Sequence, residues 1–238
     1  KKFKDVLGAF ASKLLPKCHC RPWTNEEFIL SYRGAKQDRV RAAVESLSVN
    51  EVTQIDARLK TFVKAEKINL TSKPDPAPRV IQPRDPRYNA AVGPFLKSAE
   101  HPIYNAIGRV WGSRTVMKGV NAQGVAEDLW TKWGEFTHPC GIGLDASRFD
   151  QHVSREALEW EHSIYNAIFK DANLRTWLGW QIDNHGVAYT DEGSVKYQID
   201  GCRMSGDMNT ALGNCLLMSA MVWAYKEERG VKCSLANN

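Results

Sequence analysis

The sequence predicts an α+β fold, in which helices and strands are mixed but do not alternate as regular βαβ units. Two capping-box patterns and a long apolar stretch at 210–228 indicate helices. Short runs of alternating or β-branched residues at 61–65, 187–190 and 195–199 indicate strands. With 238 residues, 43% of them hydrophobic and 25% charged, the chain can bury a sizeable core as one large domain or two closely packed ones.

Each capping box places a glutamate three residues after a hydroxyl residue, the pattern that opens many helices. The first begins at Thr24 and predicts a helix over 25–33. The second begins at Ser48 and predicts a helix over 49–59, which leads into the strand at 61–65.

Five prolines within 73–87 exclude a regular helix or a central strand there. We expect an extended, ordered loop, because residues 79–82 in its middle can pair as a strand. Helical spacing returns at 94–111 and again at 123–133.

In the second half, 141–145 is predicted as a short, buried apolar strand that ends in an acid. A helix follows, with Ser154 as its N-cap and apolar positions that continue to Trp177. Strands on either side of 191–193 predict a hairpin. The last residues, 232–236, indicate the start of another strand.

The net charge of +5 hides a basic first half and an acidic second half. Residues 1–120 hold 22 Lys and Arg against 11 Asp and Glu, whereas 121–238 hold 10 against 16. This division fits a polyanion held on one side and metal-binding carboxylates on the other, or simply two solvated surfaces. The longest apolar run, 212–225, is too short to span a bilayer, and six cysteines without a regular framework indicate reduced thiols. Neither end resembles a signal peptide, so the sequence favours a cytoplasmic location.

Asp145 and Asp150 are candidates for metal binding. Five residues apart, they would point in different directions on one helix or one strand. They can converge only where a strand ends and the chain wraps back, which Ser147 and Arg148 permit. A carboxylate leaving the end of a strand suits Mg²⁺, a hard cation that prefers oxygen ligands. The alternative is an exposed aspartate at the end of a strand, followed by one that caps a helix.

A second candidate site lies in the glycine-marked loop 201–206 and the helix that follows it. Thr210 and Asn214 are four residues apart and therefore share a helix face. Ser205 and Gly206 place a hydroxyl group and unhindered backbone amides beside that face, a set that suits a sugar phosphate. The alternative is a helix cap with a buried polar pair.

The proline-rich loop is also basic. Its stiffness can hold cationic groups in place before a ligand arrives, so that less ordering entropy is lost on binding. Such an arrangement suits a triphosphate, whose negative charge it opposes; the alternative is a loop that is merely soluble. The basic residues are Lys64, Lys67, Lys73, Arg79, Arg84 and Arg87.

Three segments in this order together resemble the RNA-dependent RNA polymerases of plant viruses of the tombusvirus family. They are Lys-Pro-Asp-Pro-Ala-Pro-Arg-Val-Ile-Gln-Pro-Arg (73–84), Leu-Asp-Ala-Ser-Arg-Phe-Asp (144–150) and Ser-Gly-x₃-Thr-x₃-Asn (205–214), which match the motifs called F, A and B. The likeness extends from about Phe62 to the end of the chain. It implies a right-hand polymerase, with a fingers subdomain and part of a palm. The implied segments are fingers with motif F (1–112), palm with motif A (113–154), a fingers insertion (155–197) and palm with motif B (198–238).

The resemblance also implies roles for individual residues. Asp145 matches the motif A aspartate that binds two catalytic Mg²⁺ or Mn²⁺ ions. The residues implied to sense the ribose 2′-hydroxyl are Asp150, Ser205, Thr210 and Asn214, with Gly206 in the same nucleotide-binding loop. Those implied to contact the triphosphate are Lys64, Lys67, Arg79 and Arg84. The implied partners are template RNA, nascent RNA and ribonucleoside triphosphates, with viral replicase or host factors. The implied location is the host cytoplasm, at membrane-associated replication sites reached through regions outside this chain.

The chain departs from the family at the third catalytic motif. The Gly-Asp-Asp hairpin of motif C does not occur before the chain ends at 234–238, and the thumb is absent too. We therefore expect a truncated polymerase that synthesises no RNA by itself. A noncatalytic RNA-binding module is the main alternative. A phosphohydrolase with Asp145 as nucleophile would need a second aspartate where Ser147 stands, and Asp150 and Asn214 favour ribonucleotide selection over reverse transcription.

Overall fold

The computed structural model describes residues 3–67, 71 and 77–238. Lys73 and two prolines of the predicted basic loop lie outside the described residues. Within the described part, the chain forms nine α-helices, one 3₁₀ turn and four strands. The prediction of a mixed α+β structure is confirmed.

The helices and strands alternate irregularly along the chain. The helices are α1 (Phe3–Leu14), α2 (Asn25–Leu30), α3 (Ala35–Val49), α4 (Pro86–Trp111), α5 (Ala122–Trp133), α6 (Phe149–His152), α7 (Arg155–Phe169), α8 (Ala172–Gly179) and α9 (Thr210–Arg229), with the 3₁₀ turn at Leu15–Lys17. The strands are β1 (Leu59–Val63), β2 (Val80–Ile81), β3 (Asp183–Thr190) and β4 (Gly193–Asp200).

The four strands form one small mixed sheet in the order β2-β1-β3-β4. Strand β1 runs antiparallel to β2 and parallel to β3, with Thr61 opposite Ala188, while β3 and β4 form the predicted antiparallel hairpin. The sheet therefore joins the basic segment, by which we mean residues 59–67 and 77–87, to a hairpin that begins at Asp183. The predicted strand at 232–236 is wrong, because this end of the chain contributes only an isolated parallel bridge between Val116 and Asn237.

Close packing across the sheet depends on Gly186. This glycine lies opposite Tyr197 in the hairpin register, and a Cβ atom at its position would overlap the tyrosine ring. The Tyr197 hydroxyl, placed in this way, hydrogen-bonds to Thr61 Oγ1 and accepts from Gln82 Nε2 at 3.2 Å. The hairpin is thus tied to the basic segment by side chains as well as by the backbone.

The hydrophobic core forms around the 26-residue helix α4. Asp85 caps its first turn by accepting a hydrogen bond from the Arg87 backbone N–H at 3.0 Å, and Gly112 ends it in the left-handed conformation with a φ of 89°. Helices α1, α7, α8 and α9 pack against it. Phe10 of α1 is fully buried, and its ring centroid lies 5.6 Å from that of Trp223 on α9.

Most of the predicted helices are confirmed, although their ends shift. The confirmed ones are 25–33, 94–111, 123–133 and 210–228, observed as α2, α4, α5 and α9. At α2 both hydrogen bonds of the capping box form, since Glu27 N–H donates to Thr24 Oγ1 at 3.2 Å and Thr24 N–H donates to Glu27 Oε2 at 2.7 Å. No described helix is long and apolar enough to cross a membrane.

The predicted helix over 49–59 is wrong. Ser48 lies in the last turn of α3, a helix that the sequence patterns did not predict, and the residues after Asn50 form turns. The Arg87 guanidinium, 37 positions after Asn50, donates to the backbone carbonyls of Asn50 at 2.8 Å and Glu51 at 3.0 Å. Those carbonyls are the acceptors that a continuing helix would use, so tertiary contacts override the local capping signal.

The predicted strand at 141–145 is also wrong. The segment has no regular secondary structure, and Ile142 and Leu144 are 80% and 67% exposed. An extended segment becomes a strand only when another strand pairs with it, and no strand in the described part of the chain does so here. The predicted helix reaching Trp177 is divided into α7 and α8, because Lys170 adopts a left-handed φ of 53° between them.

Candidate functional site

Side chains from four segments that are distant in sequence, β4 among them, line one surface groove. The groove has a volume of about 1090 Å³ and lies between the basic segment, α6 and the loop before α9. Lys64 and Arg79 line it from the basic segment, Asp150 from α6 and Ser205 from the loop. The fold thus brings together four of the residues that the sequence analysis selected.

The loop that carries Ser205 is held directly against the basic segment. The Gln82 backbone N–H donates to the Ser205 carbonyl at 2.7 Å. Gly206 follows with a φ of 133°, and a Cβ atom there would lie 3.2 Å from the backbone of both Gln82 and Pro83. A side chain is therefore disfavoured at Gly206 by both conformation and space. This close approach sets Ser205 at the edge of the groove.

Asp150 and Asn214 form a hydrogen-bonded pair. The Asn214 Nδ2 group donates to Asp150 Oδ1 at 2.7 Å, and both side chains are half-buried. Asp150 reaches this position because Arg148 takes a left-handed φ of 53° and turns the chain into α6. The turn that the sequence permits at 147–148 is present, and it brings Asp150 to Asn214, but Asp145 and Asp150 line different grooves.

Asp145 lies on a neighbouring groove of about 620 Å³, where Thr210 and Asn214 are among the lining residues. Phe149 borders both grooves, and Asp145 lines one of them while Asp150 lines the other. Asp145 itself is exposed. The Thr210 hydroxyl donates towards the Met204 and Asp207 carbonyls, each at 3.0 Å, so it stabilises the start of α9.

Two exposed cations of the basic segment, Lys64 and Arg79, share one carboxylate. Glu66 accepts from Arg79 Nε at 2.6 Å and lies 3.1 Å from Lys64 Nζ. The hydrogen bonds from Arg79, supported by Lys64, lower the pKa of Glu66 to about 2. Lys67 is exposed and is not among the described residues that line either groove. Lys64 and Arg79 therefore stand together at the groove around a single negative charge.

Arg84 has a different place from the other basic residues, because its side chain is only 1% exposed. Its Nε donates to Asp207 Oδ1 at 2.5 Å, and further hydrogen bonds reach the Ala57 carbonyl at 2.7 Å and Asn184 Oδ1 at 2.6 Å. Burial lowers the pKa of Arg84, but Asp207, together with Tyr88 and Tyr197, raises it overall, so the guanidinium remains charged. These contacts commit Arg84 to holding the loop before α9 against the basic segment.

A buried polar network behind the groove was not predicted from the sequence. Arg203 and Glu161 form an ion pair in which both side chains are fully buried. Asn209 donates to Glu161 Oε1 at 2.7 Å, and Gln181 links Asn209 to His162 through two 3.1 Å hydrogen bonds. The one sequence signal that could have indicated this network is Arg203, a charged residue in the loop next to the buried helix α9.

The donor set for a metal ion is incomplete in the described part of the chain. No group of three His, Cys, Asp or Glu side chains there is arranged to hold an ion. Asp145 offers a single exposed carboxylate, and Asp150 is engaged by Asn214. A divalent ion of the Mg²⁺ type takes several oxygen ligands, so these side chains do not by themselves form its site.

The whole chain, residues 1–238, matches the protein family described as viral RNA dependent RNA polymerase. It is 56% identical over 219 residues to the RNA-directed RNA polymerase of Pothos latent virus, which covers 92% of this chain and 30% of that protein. The RNA-directed RNA polymerase of tobacco necrosis virus (strain A) is 51% identical over 243 residues, and the match covers 99% of this chain and 34% of that protein. That of turnip crinkle virus is 51% identical over 217 residues, covering 91% and 28%.

The chain spans between about a fifth and a third of the length of the curated relatives it matches. The family match nevertheless extends over all of its residues. The order of the three motifs and the identities near 50% agree on the same assignment. The chain therefore belongs to the viral RNA-dependent RNA polymerases, within the group from tombusvirus-like and carmovirus-like viruses.

Proposed function

We propose that this chain forms the nucleotide-selecting part of a polymerase that copies viral RNA. The observation that carries the proposal is the groove that Lys64 and Arg79 line together with Asp150 and Ser205. Cations suit a triphosphate, and a carboxylate beside a hydroxyl suits a sugar. One groove thus offers the two kinds of contact that a ribonucleoside triphosphate needs.

Asp150 and Asn214 are the proposed readers of the sugar. A ribose 2′-hydroxyl both donates and accepts hydrogen bonds, whereas a deoxyribose has nothing to offer at that position. The pair provides a carboxylate that accepts and an amide that donates, already joined at 2.7 Å. Ser205 adds a hydroxyl at the edge of the groove that Asp150 lines, whereas Asn214 lines the neighbouring groove. Thr210 and Gly206 hold the loop in shape.

Lys64 and Arg79 are the proposed contacts of the triphosphate. Their shared partner Glu66 carries one charge, so two cations around it leave an excess positive charge. A triphosphate competes with Glu66 for both side chains and brings more negative charge than that carboxylate. Lys67, exposed beside them, adds to the positive potential. Arg84 does not belong to this set, because it is buried with Asp207.

The chain is proposed to divide into fingers (1–112), a palm segment (113–154), a fingers insertion (155–197) and a second palm segment (198–238). The sheet supports the grouping of the two fingers parts, since β1 from the first pairs in parallel with β3 from the insertion. The bend at Arg148 and the loop before α9 supply the groove from the two palm parts.

Two divalent ions are proposed to support nucleotidyl transfer in the complete polymerase. When bound, such ions lower the pKa of an attacking hydroxyl and stabilise charge on the reacting phosphate. Asp145 is the residue of this chain that would contribute a ligand. Because the described residues offer no cluster of three ligands, we propose that the other ligands come from the rest of the polymerase. The 238 residues alone would then bind RNA and nucleotides weakly, without synthesis.

Primer extension by the complete polymerase tests the role of Asp145. Asp145→Ala should abolish synthesis, whereas Asp191→Ala, at the exposed hairpin turn, should leave it unchanged. Extension by the Asp145→Ala enzyme at the normal rate would contradict the assignment. Metal-dependent incorporation by the isolated 238 residues would contradict the proposed sharing of ligands.

Incorporation of ribonucleotides and 2′-deoxyribonucleotides by the same enzyme tests the sugar-reading pair. Asn214→Ala should reduce the preference for ribonucleotides about tenfold, the worth of one hydrogen bond lost beside a charged group. An unchanged preference would show that Asn214 does not read the sugar.

The alternative, a noncatalytic RNA-binding module, predicts that the complete protein binds RNA but does not incorporate nucleotides. It would bind RNA in a salt-sensitive manner and show no metal-dependent incorporation at all. The proposed cytoplasmic location at membrane-associated replication sites is tested separately, by fractionation of infected cells with an antibody against this chain. Recovery of the polymerase only in nuclei would contradict it.

A further inference from the structure

We propose that Arg203 and Glu161 are positioning residues for sugar selection, because they fix the orientation of the Asn214 side-chain amide. The inference rests on the proposed function, in which Asp150 and Asn214 read the ribose. Neither Arg203 nor Glu161 touches the nucleotide in this scheme. Their effect passes through Asn214.

The amide of Asn214 is held between a donor and an acceptor. Arg203 Nε donates to Asn214 Oδ1 at 3.2 Å, and Asn214 Nδ2 donates to Asp150 Oδ1 at 2.7 Å. A guanidinium can only donate, and an ionised carboxylate can only accept. Rotating the amide by half a turn would place its N–H donors against the Arg203 donor and its oxygen against the Asp150 carboxylate oxygen. The arrangement therefore permits a single orientation, with the amide N–H groups towards Asp150.

The backbone reinforces this alignment. The Arg203 N–H donates to the Asp150 carbonyl at 2.9 Å, so the same residue fixes the position of both members of the sugar-reading pair. A shift of Arg203 would move Asp150 relative to Asn214.

Glu161 in turn fixes the guanidinium of Arg203. Both side chains are fully buried, and two guanidinium nitrogens face the two carboxylate oxygens. Glu161 Oε1 also accepts from the Tyr165 hydroxyl at 2.8 Å and from Asn209 Nδ2 at 2.7 Å. Burial lowers the pKa of Arg203, but Glu161, together with Tyr165 and Asp207, raises it overall, so the guanidinium remains charged. With its carboxylate bonded on several sides, Glu161 leaves the guanidinium little freedom to turn.

Gly213 allows α9 to approach this pair. A Cβ atom at Gly213 would overlap both the Arg203 guanidinium and the Glu161 carboxylate. The residue next along the helix is Asn214, so α9 approaches the ion pair closely beside the sugar-reading amide. This packing explains how a buried pair acts on a group at the edge of a groove.

Arg203→Lys in the complete polymerase separates positioning from general stability. Lysine keeps the positive charge beside Glu161 but lacks the Nε–H that holds Asn214 Oδ1. We expect the preference for ribonucleotides over 2′-deoxyribonucleotides to fall about tenfold, since the amide is then free to turn. The matched control is Arg155→Lys, whose arginine is 43% exposed and pairs with Asp200. It should leave the preference unchanged.

The preference is a ratio measured on one enzyme, so a loss of folded protein lowers both rates and leaves the ratio unaltered. An unchanged ratio in Arg203→Lys, with a reduced ratio in Asn214→Ala, would overturn this inference alone. An unchanged ratio in Asn214→Ala would instead overturn the proposed function on which it rests. If Arg203→Lys does not fold, the double variant Glu161→Gln with Arg203→Gln is measured in its place. Both charges of the pair are then removed, so that no unpaired charge is buried. A reduced ratio in that double variant supports the inference, and an unchanged one overturns it.

Discussion

The buried ion pair between Arg84 and Asp207 joins the basic segment to the loop before α9. Asp207→Asn tests this pair, because it leaves the positive charge of Arg84 without its negative partner. The substitution keeps the shape of the side chain and removes the carboxylate. Arg84 is 1% and Asp207 3% exposed, so water cannot solvate the guanidinium that remains. Its other acceptors, the Ala57 carbonyl and Asn184 Oδ1, are neutral.

The expected loss follows from this geometry. Removing one partner of a buried pair leaves an unpaired charge and costs about 3–5 kcal/mol of the free energy of unfolding. For a chain of this size, about 2–4 °C of melting temperature corresponds to each kcal/mol, so Asp207→Asn should lower the melting temperature by about 6–20 °C. The matched control is Asp200→Asn, which breaks an Arg–Asp pair whose side chains are 43% and 64% exposed. Its expected cost is at most about 1 kcal/mol.

Urea unfolding of the 238-residue chain, followed by tryptophan fluorescence and circular dichroism, measures both variants. Equal slopes against urea would show that the change lies in stability and not in the unfolded state. Replacing both partners, Arg84→Met with Asp207→Leu, should recover part of the loss because no charge stays buried. If Asp207→Asn lost no more stability than Asp200→Asn, the role assigned to the buried pair would be refuted.

Two further predictions concern the core. Burial lowers the pKa of His162 from 6.5 to about 4, so between these pH values the unfolded chain binds a proton at this residue and the folded chain does not. The free energy of unfolding should therefore fall by about 3 kcal/mol from this group as the pH drops from about 6.5 to 4. His162→Gln should flatten the pH dependence of the free energy of unfolding, and equal slopes in both proteins would contradict the assignment. Phe10→Ala should cost about 3–5 kcal/mol in urea unfolding because a fully buried ring is lost. Val49→Ala, at an 80% exposed position, should change stability by about 0.5 kcal/mol or less, and similar losses for the two would argue against the core described here.

Local sequence patterns predicted the elements whose signals act over a few residues. The capping box at Thr24 formed both of its hydrogen bonds, and the turn at 191–193 formed the hairpin. Two of the three wrong elements, 49–59 and 141–145, depended on partners far along the chain. A capping box does not start a helix when distant groups bind the carbonyls that the helix would use. An extended run becomes a strand only when a neighbouring strand pairs with it.

The sequence by itself determined the family and supplied the candidate site residues, because both depend on side-chain types at set spacings. It also predicted that Thr210 and Asn214 share a face, which is a property of helical geometry. Only the tertiary structure decided which charges face a groove and which are enclosed. Arg84 and Asp207 are 123 positions apart, and Glu161 and Arg203 are 42 apart. Burial of a charge is settled by the partner that the fold brings to it, and no local pattern records that partner.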